Sequence, residues 1–182
     1  MTNLPTVFTI TRTTLSALLF TAVPTAYAND PQPDAWTGNV NAYLGHKNVG
    51  DKDWPNLDSQ GSIGVIPDFK KESCPVSIAA DLIVSGTENN SGINKTTGAC
   101  AEIHLGVRKI FTFQSSSFKP YTGGGVALIS AVLEKKTAGV NVDDDDSPLS
   151  AWVGVDGYYA VAKNISLGLD VRYSNAAVTL FN

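Results

Sequence analysis

The feature that most constrains the fold of this chain is an alternation of apolar and polar residues with a period of two. It is clearest at residues 165–173. The apolar members of that segment are Ile165, Leu167, Leu169, Val171 and Tyr173, and they alternate with Ser166, Gly168, Asp170 and Arg172. Successive side chains of a β-strand point to opposite faces. This segment therefore predicts a strand that separates two very different environments.

The alternation recurs and predicts seven strands of an antiparallel all-β fold. They lie at residues 38–45, 59–69, 76–84, 101–108, 121–134, 149–159 and 165–173. Long polar connections occupy residues 46–58, 86–98 and 135–148, and short ones occupy residues 70–75, 112–117 and 161–164. Short turns at one end and long loops at the other are typical of an up-and-down transmembrane β-barrel. A water-soluble lipocalin-like barrel alternates too, so the pattern alone leaves both open.

Charged residues occur at the polar positions of the alternation, while the opposite face of the same strands is almost uncharged. This distribution favours the membrane barrel. We expect one interior charge network, formed by Asp81, Glu102, His104, Arg108, Asp156, Asp170 and Arg172. The interior of an eight-stranded barrel is just wide enough for side chains, and buried charges must pair. The alternative is that His104 is a general base oriented by a carboxylate.

Aromatic residues gather near the short connections. We interpret them as an interfacial girdle, consisting of Phe69, Phe111, Phe113, Phe118, Tyr121, Tyr158 and Tyr159. Tyr and Trp concentrate at membrane–water interfaces, and membrane barrels carry aromatic girdles there. Packing of these rings in the core of a soluble protein is the alternative.

The first 28 residues have the composition of a secretory signal peptide. A single basic residue, Arg12, precedes an uncharged and largely apolar run at residues 13–23, and Ala26 and Ala28 form a small-x-small cleavage pattern. The run is shorter than the ~20 residues that a spanning helix needs. We therefore expect residues 1–28 to be removed and residues 29–182 to form one outer-membrane β-barrel domain, with a buried N-terminal helix as the alternative.

Two segments carry a family resemblance. Residues 119–127 resemble the Pro-Tyr-x-Gly-x-Gly strand opening of small outer-membrane β-barrel proteins, and residues 152–173 look like the next hairpin, ending in Arg172 and Tyr173. The class is the eight-stranded one that includes the transmembrane domain of outer membrane protein A. The resemblance implies the fold and leaves the activity open, since the class contains anchors, adhesins, channels and lipid-modifying enzymes.

The closing strand departs from that pattern. Residues 165–173 form the seventh strand, and only residues 176–182 remain for an eighth. A tilted transmembrane strand needs about 9–11 residues. We expect an eight-stranded type of barrel whose last strand is short or missing.

The remaining motifs predict little chemistry. The aspartates at residues 143–146 lack the spacing and glycine of a calcium loop, so we expect a solvated loop there. Cys74 and Cys100 fall at opposite ends of the barrel, which excludes a disulfide between them. We expect no catalytic, cofactor-binding or metal site, and the net charge of −4 gives no basic surface for nucleic acid.

These observations predict a monomeric, non-enzymatic outer-membrane protein of a Gram-negative-type bacterium, with a filled polar interior. Its expected role is structural or surface-interactive, through the long loops. Its expected partners are outer-membrane lipid and, at the loops, lipopolysaccharide or other surface ligands. A passage for small or hydrophobic molecules, a lipid-modifying enzyme and a soluble periplasmic ligand-binding barrel remain alternatives.

Overall fold

The fold is all-β, as the alternation predicts. The computed structural model describes residues 21–22, 35–50, 54, 56–113, 117–138, 140–162 and 165–178. Strands contain 82% of these residues, and none of them is helical. No membrane-spanning helix occurs in the described part of the chain. The strands are β1 (Thr21–Ala22), β2 (Trp36–Asn48), β3 (Ser59–Lys71), β4 (Ser77–Ser91), β5 (Asn94–Ile110), β6 (Phe118–Thr137), β7 (Val140–Asp146), β8 (Leu149–Ala162) and β9 (Ile165–Asn175).

The strands form a single antiparallel sheet in the order β1-β2-β3-β4-β5-β6-β8-β9, with β7 paired to β6 alone. The sheet curls into a half-barrel. All seven strands that the alternation predicts are present, as β2, β3, β4, β5, β6, β8 and β9. Of the predicted signal peptide, only Thr21 and Ala22 are described, and they pair with β2 at Asn41 and Val40. The predicted cleavage pattern and the end of the chain after Val178 lie outside the described residues.

Two of the predicted long loops are strands instead. β4 and β5 continue as one hairpin to Ser91 and Asn94, where Gly92 takes a positive φ of 66° in the turn. The segment with four aspartates is β7, which pairs with Ala131–Thr137 of β6. The alternation fails in these segments because both faces of the projecting sheet are exposed, so the sequence no longer distinguishes an apolar side from a polar one.

The backbones of β5 and β6 approach each other closely where glycines face each other. Gly106 pairs with Gly125 in the register. A Cβ atom on Gly125 would lie 2.0 Å from the carbonyl oxygen of Leu105, and one on Gly106 would lie 2.2 Å from that of Gly124. Only glycine allows this approach of two backbones. The curl of the sheet brings the polar faces of distant strands together in its interior.

Candidate functional site

The interior of the curled sheet contains a network of ion pairs centred on Asp81 of β4. One oxygen of its carboxylate, Oδ2, accepts hydrogen bonds from Arg108 Nη2 at 2.5 Å and from Arg172 Nη1 at 2.5 Å. The other terminal nitrogen of Arg172 donates to Asp170 Oδ2 at 2.7 Å. All four side chains are almost completely buried. The β4–β5 hairpin and the distant strand β9 thus converge on one carboxylate.

A second branch runs through His104, which faces Arg172 across the interior. His104 Nε2 lies 2.8 Å from Glu102 Oε2, and its Nδ1 lies 3.3 Å from Arg172 Nη1. Because a guanidinium can only donate, Nδ1 must accept and the imidazole proton must sit on Nε2. Lys47 Nζ donates to the other oxygen of Glu102 at 2.9 Å. His104 is therefore a neutral link between the two halves of the network.

Trp152 of β8 covers the network from one side. Its ring stacks on His104 with 5.5 Å between centroids, and the guanidinium carbons of Arg172 and Arg108 lie 5.0 and 5.8 Å from its centroid. The indole nitrogen donates to the carbonyl oxygen of Leu105 at 3.2 Å. Cation–π contacts of this kind are strongest when the groups are desolvated, as they are here.

Asp156 lies at the margin of the network, opposite Asp170 in the register of β8 and β9. Its Oδ1 accepts a hydrogen bond from the backbone nitrogen of Val171 at 2.9 Å. The structure therefore brings all seven residues predicted for the interior network into one buried cluster, with Asp156 held by a backbone hydrogen bond.

Two members of the cluster are not among the predicted residues. Lys47 falls in the segment predicted as a loop, although it continues the interior phase of Tyr43 and Gly45. Trp152 shares the phase of Ser150 and Asp156, but as a large aromatic it does not read as a polar-face residue. In both cases the position in the strand alternation was the available signal. For Lys47 it applies because β2 extends to Asn48.

Described residues of the predicted external loop at residues 46–58 pack into the interior of the sheet. Its described residues Val49, Trp54 and Leu57 are buried, and the Val49 nitrogen donates to the Asp58 carbonyl oxygen at 2.7 Å. A Cβ atom on Gly98 would lie 2.3 Å from the ring of Trp54, so that glycine makes room for the indole. This segment packs with buried apolar residues of the upper interior, which include Cys100, Ile129, Leu133 and Val178. The interior thus has an apolar layer nearer the predicted long loops and a charged layer next to it.

The predicted aromatic girdle divides between the two faces of the sheet. Five of its members are exposed on the exterior near the short turns, namely Phe69, Phe111, Phe113, Phe118 and Tyr159. The placement of Tyr121 and Tyr158 on that face is wrong. Tyr121 is buried on the interior side, with the guanidinium of Arg108 5.8 Å from its ring, and Tyr158 lies 6.2 Å from Tyr121. The physical reason is strand parity: Phe118 and Tyr121 are three residues apart on β6 and so face opposite sides.

The exterior face is apolar along every long strand. Its exposed members include Leu44, Ile63, Val65, Ile78, Leu82, Val84, Ile103, Leu105, Val107, Val126, Leu128, Val132, Val153, Val155, Leu167, Leu169, Val171 and Tyr173. We name this surface the apolar belt. Its composition is the reverse of that of a soluble domain, since the charges lie inside and the branched aliphatic residues outside.

The four aspartates and the two cysteines have structural positions. Asp143 and Asp145 share one face of β7, while Asp144 and Asp146 share the other. β7 pairs only with β6, and charged side chains on a free edge oppose pairing with other chains. Among the described residues, no group of three or more His, Cys, Asp or Glu side chains is arranged to hold a metal ion. Both cysteines are free thiols; Cys74 lies in the β3–β4 turn, and Cys100 lies in the upper interior.

Comparison with known proteins gives no relative for this chain. No protein-family model matches it, and neither do any curated protein or solved structure. The functional argument therefore rests on the residues and their geometry.

Proposed function

We propose that this chain is an eight-stranded outer-membrane β-barrel protein with a filled interior, and that it acts in the envelope as a structural or surface-interaction protein. The observation that carries the proposal is the inverted distribution of polarity described above. Monomeric soluble proteins rarely expose a contiguous apolar patch larger than a few hundred Å². A face that is apolar along seven strands is expected only where lipid replaces water.

The dimensions of the apolar belt fit an outer membrane. On the exterior face of β5, the row from Ala101 to Phe111, which lies just beyond the strand, is apolar except for Lys109 near its short-turn end. That stretch measures about 33 Å along the strand, or about 25 Å along a barrel axis inclined by about 40° to it. The lipid-facing band of outer-membrane barrels is about 25 Å tall.

Closure of the barrel is part of the proposal. Apart from the two residues of β1, which lie in the predicted signal peptide, β2 and β9 border the opening and run in the same direction, because an even number of antiparallel steps separates them in the sheet order. One further strand, antiparallel to both, would therefore complete a barrel of eight. A sheet edge left open in lipid would expose unpaired backbone groups, which costs several kcal/mol each.

The filled interior favours a role without conduction. Buried ion pairs occupy its middle, and Trp54 and Leu57 pack into the buried apolar cluster beside them. Single-channel recording in planar bilayers tests this point. We expect no sustained conductance, whereas stable conducting steps would favour the alternative of a passage for small molecules.

The experiment that tests the proposal is expression in a Gram-negative host, followed by fractionation and gel electrophoresis with and without heating. We expect the protein in the detergent-extractable outer membrane, with heat-modifiable mobility and a mature N-terminus at Asn29. The informative variants are Leu105→Arg in the centre of the apolar belt and Asn90→Arg on the projecting hairpin. An arginine at the bilayer midplane costs about 2–4 kcal/mol, whereas one outside the membrane costs little.

Leu105→Arg should therefore deplete the heat-modifiable form, and Asn90→Arg should leave it unchanged. Recovery of the unaltered protein in the soluble periplasmic fraction would overturn the proposal. Equal tolerance of both arginines would do the same, because a water-facing surface accepts either.

A further inference from the structure

The two ends of the sheet carry charges of opposite sign. The sequence segments next to the short turns are residues 29–37, 70–76, 109–120 and 157–167. They contain five lysines, two aspartates and one glutamate. The segments at the long-loop end are residues 46–58, 86–98 and 133–149. They contain nine aspartates and glutamates and five lysines. The short-turn end is therefore basic, the long-loop end is acidic, and the apolar belt lies between them.

Two lysines of the basic end lie on the exterior face, at the edge of the apolar belt. Phe69, Ile78 and Val107 form one row of paired residues on that face. Lys71 of β3 and Lys109 of β5 each lie two residues further toward the short turns, so they continue the same face. Two strand spacings separate β3 from β5, which puts the Cα atoms of the two lysines about 10 Å apart. Their long side chains can therefore converge on one small anion.

The turn between β3 and β4 positions the ammonium group of Lys109. The Cys74 nitrogen donates to the carbonyl oxygen of Lys71 at 2.9 Å and closes this turn. Lys109 Nζ donates to the carbonyl oxygen of Pro75, in the same turn, at 3.0 Å. That contact uses one of the three ammonium protons and leaves two for other acceptors. The ammonium group of Lys109 thus lies at the turn that begins with Lys71.

Exposed aromatic rings flank the two lysines on the exterior face. Trp36 lies opposite Lys71 in the register of β2 and β3. Phe69 and Phe111 each lie two residues from one of the lysines, on the same side of the sheet. Tryptophan is enriched where a membrane meets water, and lysine side chains can lie along apolar surface while their ammonium groups reach the polar layer. The lysines therefore have the surroundings expected at the depth of lipid phosphates.

The carboxylates near the two lysines do not cancel their charge. Glu72 follows Lys71 in the turn and is exposed, and Asp68 is buried on the interior side. The two aspartates of the basic end, Asp30 and Asp34, lie outside the described residues. The lysines of the basic end outnumber all of its carboxylates, including these two. An anion is therefore attracted to this end, and the ammonium group of a zwitterionic headgroup is repelled by the lysines.

We propose that Lys71 and Lys109 bind the phosphate of an anionic phospholipid, of the phosphatidylglycerol type, at the short-turn end of the apolar belt. Both ammonium groups donate to phosphate oxygens, and the rings of Trp36 and Phe111 pack against the glycerol and the adjoining acyl chain. The short turns of outer-membrane barrels are periplasmic, so the lipid belongs to the inner leaflet. This inference rests on the proposed membrane location, because it requires the apolar belt to span the hydrocarbon.

The test is native mass spectrometry of the full chain, folded in a neutral detergent and titrated with phosphatidylglycerol or with phosphatidylethanolamine. We expect tighter retention of phosphatidylglycerol. Each lysine near a membrane surface contributes a factor of about five to the binding of an anionic lipid. Lys71→Gln with Lys109→Gln should therefore weaken phosphatidylglycerol binding about 25-fold and remove the preference over phosphatidylethanolamine.

Two further double variants make the result specific. Lys95→Gln with Lys136→Gln removes the same charge from the acidic end and should leave phosphatidylglycerol binding unchanged. Lys71→Arg with Lys109→Arg keeps the charge and should keep the preference. Equal weakening by the Lys95 and Lys136 pair, or equal retention of both lipids by the unaltered protein, would overturn the inference.

The same samples separate failure of this inference from failure of the proposed function. Heat-modifiable mobility reports whether the barrel has formed, whatever lipid it binds. A heat-modifiable protein without a preference for phosphatidylglycerol would refute the lipid site and leave the membrane barrel intact. Free glycerol phosphate that competes as well as the intact lipid would assign the two lysines to a soluble anion, which also overturns the lipid assignment.

Discussion

Replacement of Asp81 by asparagine tests the ion-pair network at its centre. The substitution preserves the shape of the side chain and removes the charge that both Arg108 and Arg172 contact at 2.5 Å. Breaking a buried ion pair by removing one partner typically costs about 3–5 kcal/mol, because the other charge is left uncompensated. Asparagine retains one acceptor oxygen, while two guanidinium groups lose their counter-charge. We therefore expect a loss of about 4 kcal/mol, or roughly a thousandfold in the folding equilibrium.

The assay is urea unfolding of the protein in lipid vesicles, followed by tryptophan fluorescence. Trp152 stacks on His104 inside the network, so its emission reports directly on this region. Glu88→Gln is the matched control, since it removes a carboxylate from an exposed ion pair with Lys95 and should leave the unfolding midpoint unchanged.

A double-mutant cycle adds a second criterion. Asp81→Asn combined with Arg108→Met should cost less than the sum of the two single changes, because the second substitution removes one of the stranded charges. An Asp81→Asn protein that unfolds at the same urea concentration as the Glu88→Gln control would refute the reasoning. Strict additivity of the two changes would refute it as well.

Three further predictions concern the close contact between β5 and β6, the buried Trp54 and the projecting hairpin. Gly125→Ala should destabilise the protein by about 1–3 kcal/mol or prevent folding, since its Cβ would meet the Leu105 carbonyl. Gly61→Ala is the control, because a Cβ atom there would have no atom within 4 Å, and it should not change the stability. The urea midpoints of the two variants test this prediction. Trp54→Ala should cost about 3–5 kcal/mol without producing conductance in planar bilayers, because the charged layer below still fills the interior. A hydrogen bond from Lys95, and a smaller contribution from Asn90, lower the pKa of the exposed Glu88 carboxyl. The ion pair between Glu88 and Lys95 is therefore fully present above the ordinary glutamate pKa, and it is lost as the pH falls through the lowered pKa of Glu88. Lys95→Gln should raise that pKa toward its ordinary value in a carbon-detected NMR titration, and an unchanged value would contradict the pairing.

The sequence predicts this fold best where the two faces of a strand meet different environments. The seven long strands, and the interior phase of residues such as Asp81 and Arg172, follow from the alternation alone. The same signal disappears in the upper parts of β4, β5 and β6, where water contacts both faces, and these strands read as loops. Hydrophobicity does not reveal that β7 is an edge strand, since its four consecutive aspartates have no alternation.

The errors within the site arise from using the type of a residue to predict which face of the sheet its side chain points to. Tyr121 reads as an interfacial aromatic, yet strand parity turns it toward Arg108. Lys47 reads as part of a polar loop, although two more residues of β2 would have placed it beside Glu102. The partners of each charge could not be predicted, because they depend on how the whole sheet curls and thus on which distant strands face each other across the interior.

The central claim is that the exterior face contacts lipid, and site-directed spin labelling measures this most directly. Single cysteines at Leu105, at Val153 and at Lys95 would be labelled with a nitroxide in a background of Cys74→Ser and Cys100→Ala, and the protein reconstituted in vesicles. We predict that collisions with oxygen dominate at Leu105 and Val153, because oxygen concentrates in hydrocarbon. Collisions with a water-soluble nickel chelate should dominate at Lys95. High nickel accessibility at all three positions would contradict the account, because it would place the apolar belt in water.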